Sequence, residues 1–209
     1  MIEKQSNMIW NTTIRKLWIL VALCAFAFPA IPLNAQNYPV AEISGGYRLS
    51  LDDDFFLGDS QAHLNGFAVG GEFNINRFFG IAGELGYGMS TFSVYGISHD
   101  RNQTTVLVGP RFSHRGKRNR LFGHLLVGLS HEASDNTLAS PQKISTNNIA
   151  LDVGAGWDIS IGNRISIRPF QLDIMSTRHA RAAGYEHQLV QLRYLGGITV
   201  KLGSDGAGR

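Results

Sequence analysis

The sequence predicts an all-β chain: an eight-stranded antiparallel, up-and-down transmembrane β-barrel that follows a cleavable signal peptide. Three observations predict it. From residue 40 onward, large apolar residues alternate with polar or small ones in eight segments of period two. The connections between those segments alternate between short and long. Charged residues make up only 17% of the 209, below the roughly 25% of soluble domains, so one set of faces has no call for a charged surface.

The N-terminus reads as a leader. Leu17 to Phe28 is an apolar run preceded by Arg15 and Lys16, broken at Pro29 and Pro32, and followed by Leu33-Asn34-Ala35. That order is the charged, apolar and cleavage layout of a secretory signal, and the run falls short of the roughly 20 residues that a spanning helix needs. Cleavage is expected after Ala35, leaving a barrel domain over 36–209 with a short tail from Gly203. The sole cysteine, Cys24, would leave with the leader, and Leu23 before it is not the small residue of a lipoprotein signal. A mature chain without thiols fits export. Residues 1–35 also hold Lys4, Arg15 and Lys16 against Glu3, so 16 of the 19 basic and 15 of the 16 acidic residues remain after them. That balance gives no case for nucleic-acid binding.

The eight segments follow in order. Val40 to Leu51 sets Ile43, Tyr47, Leu49 and Leu51 against Glu42, Ser44, Arg48 and Ser50. His63 to Ile75 sets Phe67, Val69, Phe73 and Ile75 against Gly66, Ala68, Gly70 and Glu72. The third runs on from Phe79, with Ile81, Leu85, Tyr87 and Met89 opposite Gly80, Ala82, Glu84, Gly86 and Gly88. Gln103 to Ser113 and Leu121 to Ser130 form the clearest hairpin. In it Val106, Val108, Phe112, Leu121, Leu125, Val127 and Leu129 share a face that excludes Gln103, Thr105, Arg111 and His124. The sixth puts Ile149, Leu151, Val153, Ala155, Trp157 and Ile159 against Asp152, Gly154, Gly156 and Asp158. In the seventh the parity changes at Pro169, between Ile165 with Ile167 and Phe170 with Leu172, which predicts a β-bulge there. Leu189 to Leu202 completes the set, with Arg193, Gly197 and Lys201 on its polar side.

Alternation alone also fits a soluble, lipocalin-like barrel with its bulky residues inside. Size separates the two. The polar rows are rich in glycine, which a solvent face does not need and the crowded lumen of eight strands does. The apolar rows are large, nearly free of charge, and end near Tyr47, Phe79, Tyr87, Phe122, Trp157 and Tyr194, where aromatic girdles are expected. Apolar residues therefore face lipid.

Gly109-Pro110-Arg111-Phe112-Ser113, the basic turn, Phe122-Gly123-His124-Leu125-Leu126-Val127-Gly128, Gly154-Ala155-Gly156-Trp157-Asp158 and Ile167-Arg168-Pro169-Phe170-Gln171-Leu172-Asp173 together carry a resemblance. Over about residues 40–203 the chain resembles the small outer-membrane β-barrel proteins of Gram-negative bacteria, the OmpA-like, porin-like group. The resemblance implies outer-membrane localisation, contact with outer-membrane lipid and lipopolysaccharide, and insertion by the barrel-assembly machinery. Two departures stand out: the last strand ends on Val200-Lys201-Leu202 rather than on a terminal aromatic, and no peptidoglycan-binding domain is expected behind the barrel, so cell-wall tethering is not implied.

The lumen candidates are Glu42, Arg48, Glu72, Glu84, Arg111, His124, Asp152, Asp158, Arg168, Gln171, Asp173, Arg193 and Lys201. Buried charges must be paired, and both signs are plentiful, so a structural plug of salt bridges is expected. Five histidines, His63, His99, His131, His179 and His187, lie near external loops, but none has metal-site spacing or a distinguishable Ser/His/acid arrangement. No catalytic residue, cofactor or metal is expected, and Ser130 with His131 is the pair to test first. Arg115, Lys117, Arg118 and Arg120 are assigned to a periplasmic turn, solvated or facing lipid headgroups. The expected role is non-enzymatic, envelope-structural or surface-interacting, through loops at Asp52 to Ala62, Tyr95 to Arg101, Ala133 to Ser145 and Thr177 to His187. The alternatives are a narrow channel for small solutes and an outer-leaflet lipid hydrolase.

Overall fold

The computed structural model describes residues 38–52, 63–94, 97–136, 142–180 and 186–203. The leader expected over residues 1–35 lies outside them. Eight strands, β1 (Ala41–Asp52), β2 (His63–Asn74), β3 (Phe79–Val94), β4 (Ile97–Arg115), β5 (Asn119–Asn136), β6 (Gln142–Ser160), β7 (Ile165–Ala180) and β8 (Glu186–Leu202), follow one another in chain order. Each pairs antiparallel with its sequence neighbour, and β8 returns to β1 from Ala41↔Leu202 to Asp52↔Gln191, closing the barrel. Closure removes both sheet edges, so every strand finds backbone partners on both sides, as a bilayer requires.

The short turns are built by local hydrogen bonds. After β2, Asn76 Oδ1 accepts from the backbone N–H of Phe78 (2.8 Å) and Phe79 (2.9 Å), an Asx turn that reverses the chain. Gly116 N–H donates to Asn119 O (2.7 Å) after β4, and Ile161 N–H to Ile165 O (3.0 Å) after β6. The expected parity change is present: the β6–β7 register shifts between Trp157 and Ile159, and the β7–β8 register between Arg168 and Gln171, on either side of Pro169. Proline lacks the N–H that an unbroken ladder would use, and the bulge accommodates it.

The two faces are inverted relative to a soluble barrel. Leu85 is 58% exposed, Leu129 59% and Ile149 68%, whereas Arg193, Gln171 and Asp152 are fully buried. Near the short turns the lipid face carries Phe79 against Phe112 (5.2 Å between centroids) and Trp157 against Phe170 (6.1 Å). Toward the other end, Phe67 meets Tyr87 (5.8 Å). Phe79 and Tyr87 lie about 27 Å apart along β3 at roughly 3.4 Å per residue, of the order of the ~25 Å apolar band of such barrels.

Two expectations need correction. Phe122 is no girdle residue: it is buried in the lumen, because it shares the parity of Arg120 and His124 on β5. The external connections are also shorter than expected. Strand pairing continues through Val94↔Ile97 and Asn136↔Gln142, and β7 and β8 pair out to Ala180↔Glu186. A span needs about 9–11 residues, so strands of 16–19 residues continue past the bilayer. There both faces meet water, alternation fades, and polar strand reads as loop. The loop tips at 53–62, 95–96, 137–141 and 181–185 lie outside the described residues.

Candidate functional site

Among the described residues polar chemistry converges in the lumen, and period two puts it there. Successive Cβ atoms alternate across a strand, so Glu42, Arg48, Glu72, Glu84, Arg111, His124, Asp152, Asp158, Arg168, Gln171, Asp173 and Arg193 all fall on inward positions, and all are buried. Lys201 is only half-buried; its Nζ donates to Ser160 Oγ (2.5 Å) at the short-turn end.

The layer nearest the short turns is built on Glu42, Glu72 and Asp158. Arg115 Nη1 reaches Glu42 Oε1 at 2.5 Å and its Nη2 donates to Asn74 Oδ1 at 2.9 Å. Arg120 pairs with Glu42 and Glu72 and lies 3.7 Å from Asp158. Arg111 Nη1 reaches Glu72 at 3.2 Å. Arg168 clamps Asp158 with two bonds, Nε to Oδ1 (2.7 Å) and Nη2 to Oδ2 (3.2 Å), the fork geometry that lysine cannot provide. Phe122 stands among these cations, with Arg111 and Arg168 each 4.5 Å from its ring centre and Arg120 5.2 Å away. A desolvated ring face attracts guanidinium, so the aromatic residue is part of the charge layer. Gly156 makes room for it: a Cβ there would meet the Phe122 ring.

The middle layer centres on Arg193. Its Nη2 lies 2.9 Å from Asp152, 3.3 Å from Glu84 and 3.5 Å from Asp173. Arg48 donates to Thr105 Oγ1 (2.9 Å) and lies in the field of the same three carboxylates. Its guanidinium fills the space that a side chain at position 86 would take. Gln171 couples the layers, accepting from Arg168 (2.8 Å) and donating to Asp173 (2.8 Å) and Glu84 (3.3 Å). Across the two layers Arg48, Arg111, Arg115, Arg120, Arg168 and Arg193 face Glu42, Glu72, Glu84, Asp152, Asp158 and Asp173, six cations against six anions.

His124 sits between them. Its Nε2 is 3.2 Å from both Asp152 Oδ2 and Asp173 Oδ1, while Arg111 Nη2 donates to Nδ1 at 3.4 Å. The ring proton therefore belongs on Nε2, facing the carboxylates. These three residues bring one ligand atom each to within 4.8 Å of one another, a spacing a divalent ion could use. Arg193 beside Asp152 and Arg111 beside His124 put two guanidinium charges where that ion's own charge would fall, which disfavours it.

The inward rows also hold an apolar cluster, with Ala82, Leu107, Leu126, Ala150 and Met175 packed together at 0–2% exposure. A third polar group lies beyond. Arg101 pairs with Asp52 and, at 3.2 Å, with Glu132; Gln103 donates to Glu132 (3.1 Å) and Gln191 (3.2 Å); Gln191 donates to Asp52 (2.7 Å).

The structure differs from the sequence expectation at several of these residues. Arg115 and Arg120 do not belong to a solvated turn: Arg115 has the parity of Arg111 on β4, Arg120 that of His124 on β5, and both point inward. Only Lys117 and Arg118 of that basic group are exposed. Asp52 and Arg101 are strand residues of the upper lumen rather than loop residues. Ser130 and His131 do not form a pair, since Ser130 is buried inside and His131 Nδ1 lies 2.7 Å from Asn147 Oδ1 on the exposed face. The side chains of His99, His179 and His187 lie outside the described residues.

Residues 20–186 match the family model of the outer membrane protein beta-barrel domain. No curated protein sequence matches the chain. Among solved structures it is similar to Ail, the attachment invasion locus protein of Yersinia pestis, at 17% identity over 79% of this chain and 99% of that one, with a TM-score of 0.51. It is similar to Neisserial surface protein A at 8% identity, 78% and 96% coverage and a TM-score of 0.57. The outer membrane protein OprG from Pseudomonas aeruginosa gives 11% identity, 80% and 98% coverage and 0.51. At these identities the likeness is one of fold.

Proposed function

The chain belongs to the outer membrane protein beta-barrel domain family, and from that premise we propose that this outer-membrane barrel is a closed, non-enzymatic envelope protein that presents its outer end to surface partners. The filled lumen carries this reading. Arg193, Gln171, Leu126, Met175, Gln103 and Gln191, from inward rows of several strands, are all 0% exposed. An eight-stranded barrel has an interior that side chains can fill, and here ionic groups and an apolar cluster fill it together. The charge network holds the wall rigid, and the lipid rows hold it in the membrane against outer-membrane lipid and lipopolysaccharide.

The strands that run past the aromatic belt lift the outer end away from the bilayer. That end is stiffened by the group of Arg101, Asp52, Glu132 and Gln191 and by Thr91 Oγ1 donating to Asp100 Oδ1 (2.9 Å). A rigid raised rim suits adhesion better than transport. The opposite faces taken by Ser130 and His131 count against hydrolysis by that pair.

Recordings of the purified barrel in planar bilayers test the proposal. No discrete conductance steps are expected. Reproducible single-channel steps would overturn it in favour of a narrow channel.

A further inference from the structure

At the end of the barrel that carries the three short turns, charge is sorted by sign. The acids of that end, Glu42, Glu72 and Asp158, point inward and are buried. Arg77 on the first turn, Lys117 and Arg118 on the second and Arg164 on the third are exposed. Among the described residues no exposed Asp or Glu lies at that end. A turn needs only polarity to stay in water; a rim of one sign creates a field that draws anions.

Arg77 and the second turn are neighbours. Arg77 Nη2 donates to Arg115 O (3.0 Å), two residues before Lys117, and its guanidinium lies over the Phe78 ring at 5.6 Å. Beside this cluster the lipid wall has a groove of about 370 Å3, lined by Phe78, Phe112, His114, Leu121 and Gly123. Gly123 leaves it open without any steric need: a Cβ there would find only Gly154 O, at 3.7 Å.

We propose that this cluster and groove form a binding site for an anionic glycerophospholipid of the inner leaflet. The phosphate, whose charge no headgroup cation offsets, meets Arg77, Lys117 and Arg118, and an acyl chain lies in the apolar groove below. Short turns of such barrels are periplasmic, which brings the cluster to the inner leaflet. A zwitterionic lipid offers the same chain but adds a headgroup cation that the rim repels.

Trp157 reports on the site, because it is paired with Leu121 across β5 and β6. The chain has three tryptophans, and Trp10→Phe with Trp18→Phe leaves Trp157 as the only indole whether or not the leader is removed. The full chain is placed in phosphatidylcholine bilayers containing either brominated phosphatidylglycerol or brominated phosphatidylcholine, and quenching of Trp157 is titrated. One interfacial cation corresponds to about a fivefold preference for anionic lipid, so three sharing one headgroup are expected to give about tenfold or more in favour of phosphatidylglycerol. The preference is expected to fall below about twofold in Arg77→Gln/Lys117→Gln/Arg118→Gln, and phosphatidylglycerol quenching to weaken in Gly123→Leu. Heat-modifiable gel migration checks that each variant is folded; all four positions are exposed or lipid-facing. Equal quenching by the two lipids, a preference that survives the triple variant, or one that is indifferent to Gly123→Leu would overturn the proposal.

Discussion

The two faces of this barrel use the same strands and obey opposite rules. On the outer face Leu85, Leu125, Val127 and Leu129 need nothing but length and an absence of charge, because their neighbours are fluid lipid. On the inner face many side chains are fixed by others across the lumen: Arg193 of β8 by Glu84 of β3 and Asp152 of β6, and Phe122 of β5 by Arg168 of β7. Specificity is therefore concentrated inside, where the contacts are polar and few replacements fit. The wall outside supplies insertion and tolerates exchange.

That contrast can be broken most severely from within. Arg193→Leu would leave Glu84, Asp152 and Asp173 buried together without their central cation, and removing one partner of a buried ion group costs about 3–5 kcal/mol. Urea unfolding of the barrel in micelles, followed by gel migration, should show the midpoint falling accordingly. A loss below about 1 kcal/mol, the size of an exposed pair, would mean that the network is incidental. Placing a charge on the other face comes next. Leu125→Arg, midway along the lipid row of β5, is expected to cost about 2–4 kcal/mol by the same measurement.

A pair of glycines sharpens the comparison at smaller amplitude. Gly156→Val drives a side chain into the Phe122 ring and should cost about 1–3 kcal/mol as overpacking. Gly123→Val, on the lipid side with open space around it, should change stability by less than about 0.5 kcal/mol. Equal effects at the two positions would show that the faces are not as different as their packing implies.

The alternation of Gln103 to Ser113 and Leu121 to Ser130 was enough to read the strands, the direction of each face and the charged residues of the lumen, because period two is a property of the backbone itself. Phe122, Arg115 and Arg120 went astray where residue type outweighed parity. An aromatic near a turn suggested the girdle and a cation near a turn suggested solvent, although position along the strand had already pointed all three inward. Asp52, Arg101 and Glu132 were hidden for another reason: beyond the bilayer both faces are wet, and the pattern that marks a strand is lost. Which acid meets which base was not legible at all. Gln191 and Asp52 are 139 residues apart, and their meeting depends on the tilt and stagger with which β8 closes on β1.

The lumen network also constrains how such a barrel can come into being. Arg168 on β7 finds Asp158 on adjacent β6, but Glu42 on β1 finds Arg115 and Arg120 on β4 and β5, and Glu84 on β3 finds Arg193 on β8. A flat sheet would leave Glu42, Glu72, Glu84, Arg111 and Arg115 without their counterparts, and only curling and ring formation bring them together. Insertion should accordingly be all-or-none, with no long-lived half-barrel, and a chain lacking its final strand would lose the middle layer's keystone rather than one-eighth of its wall.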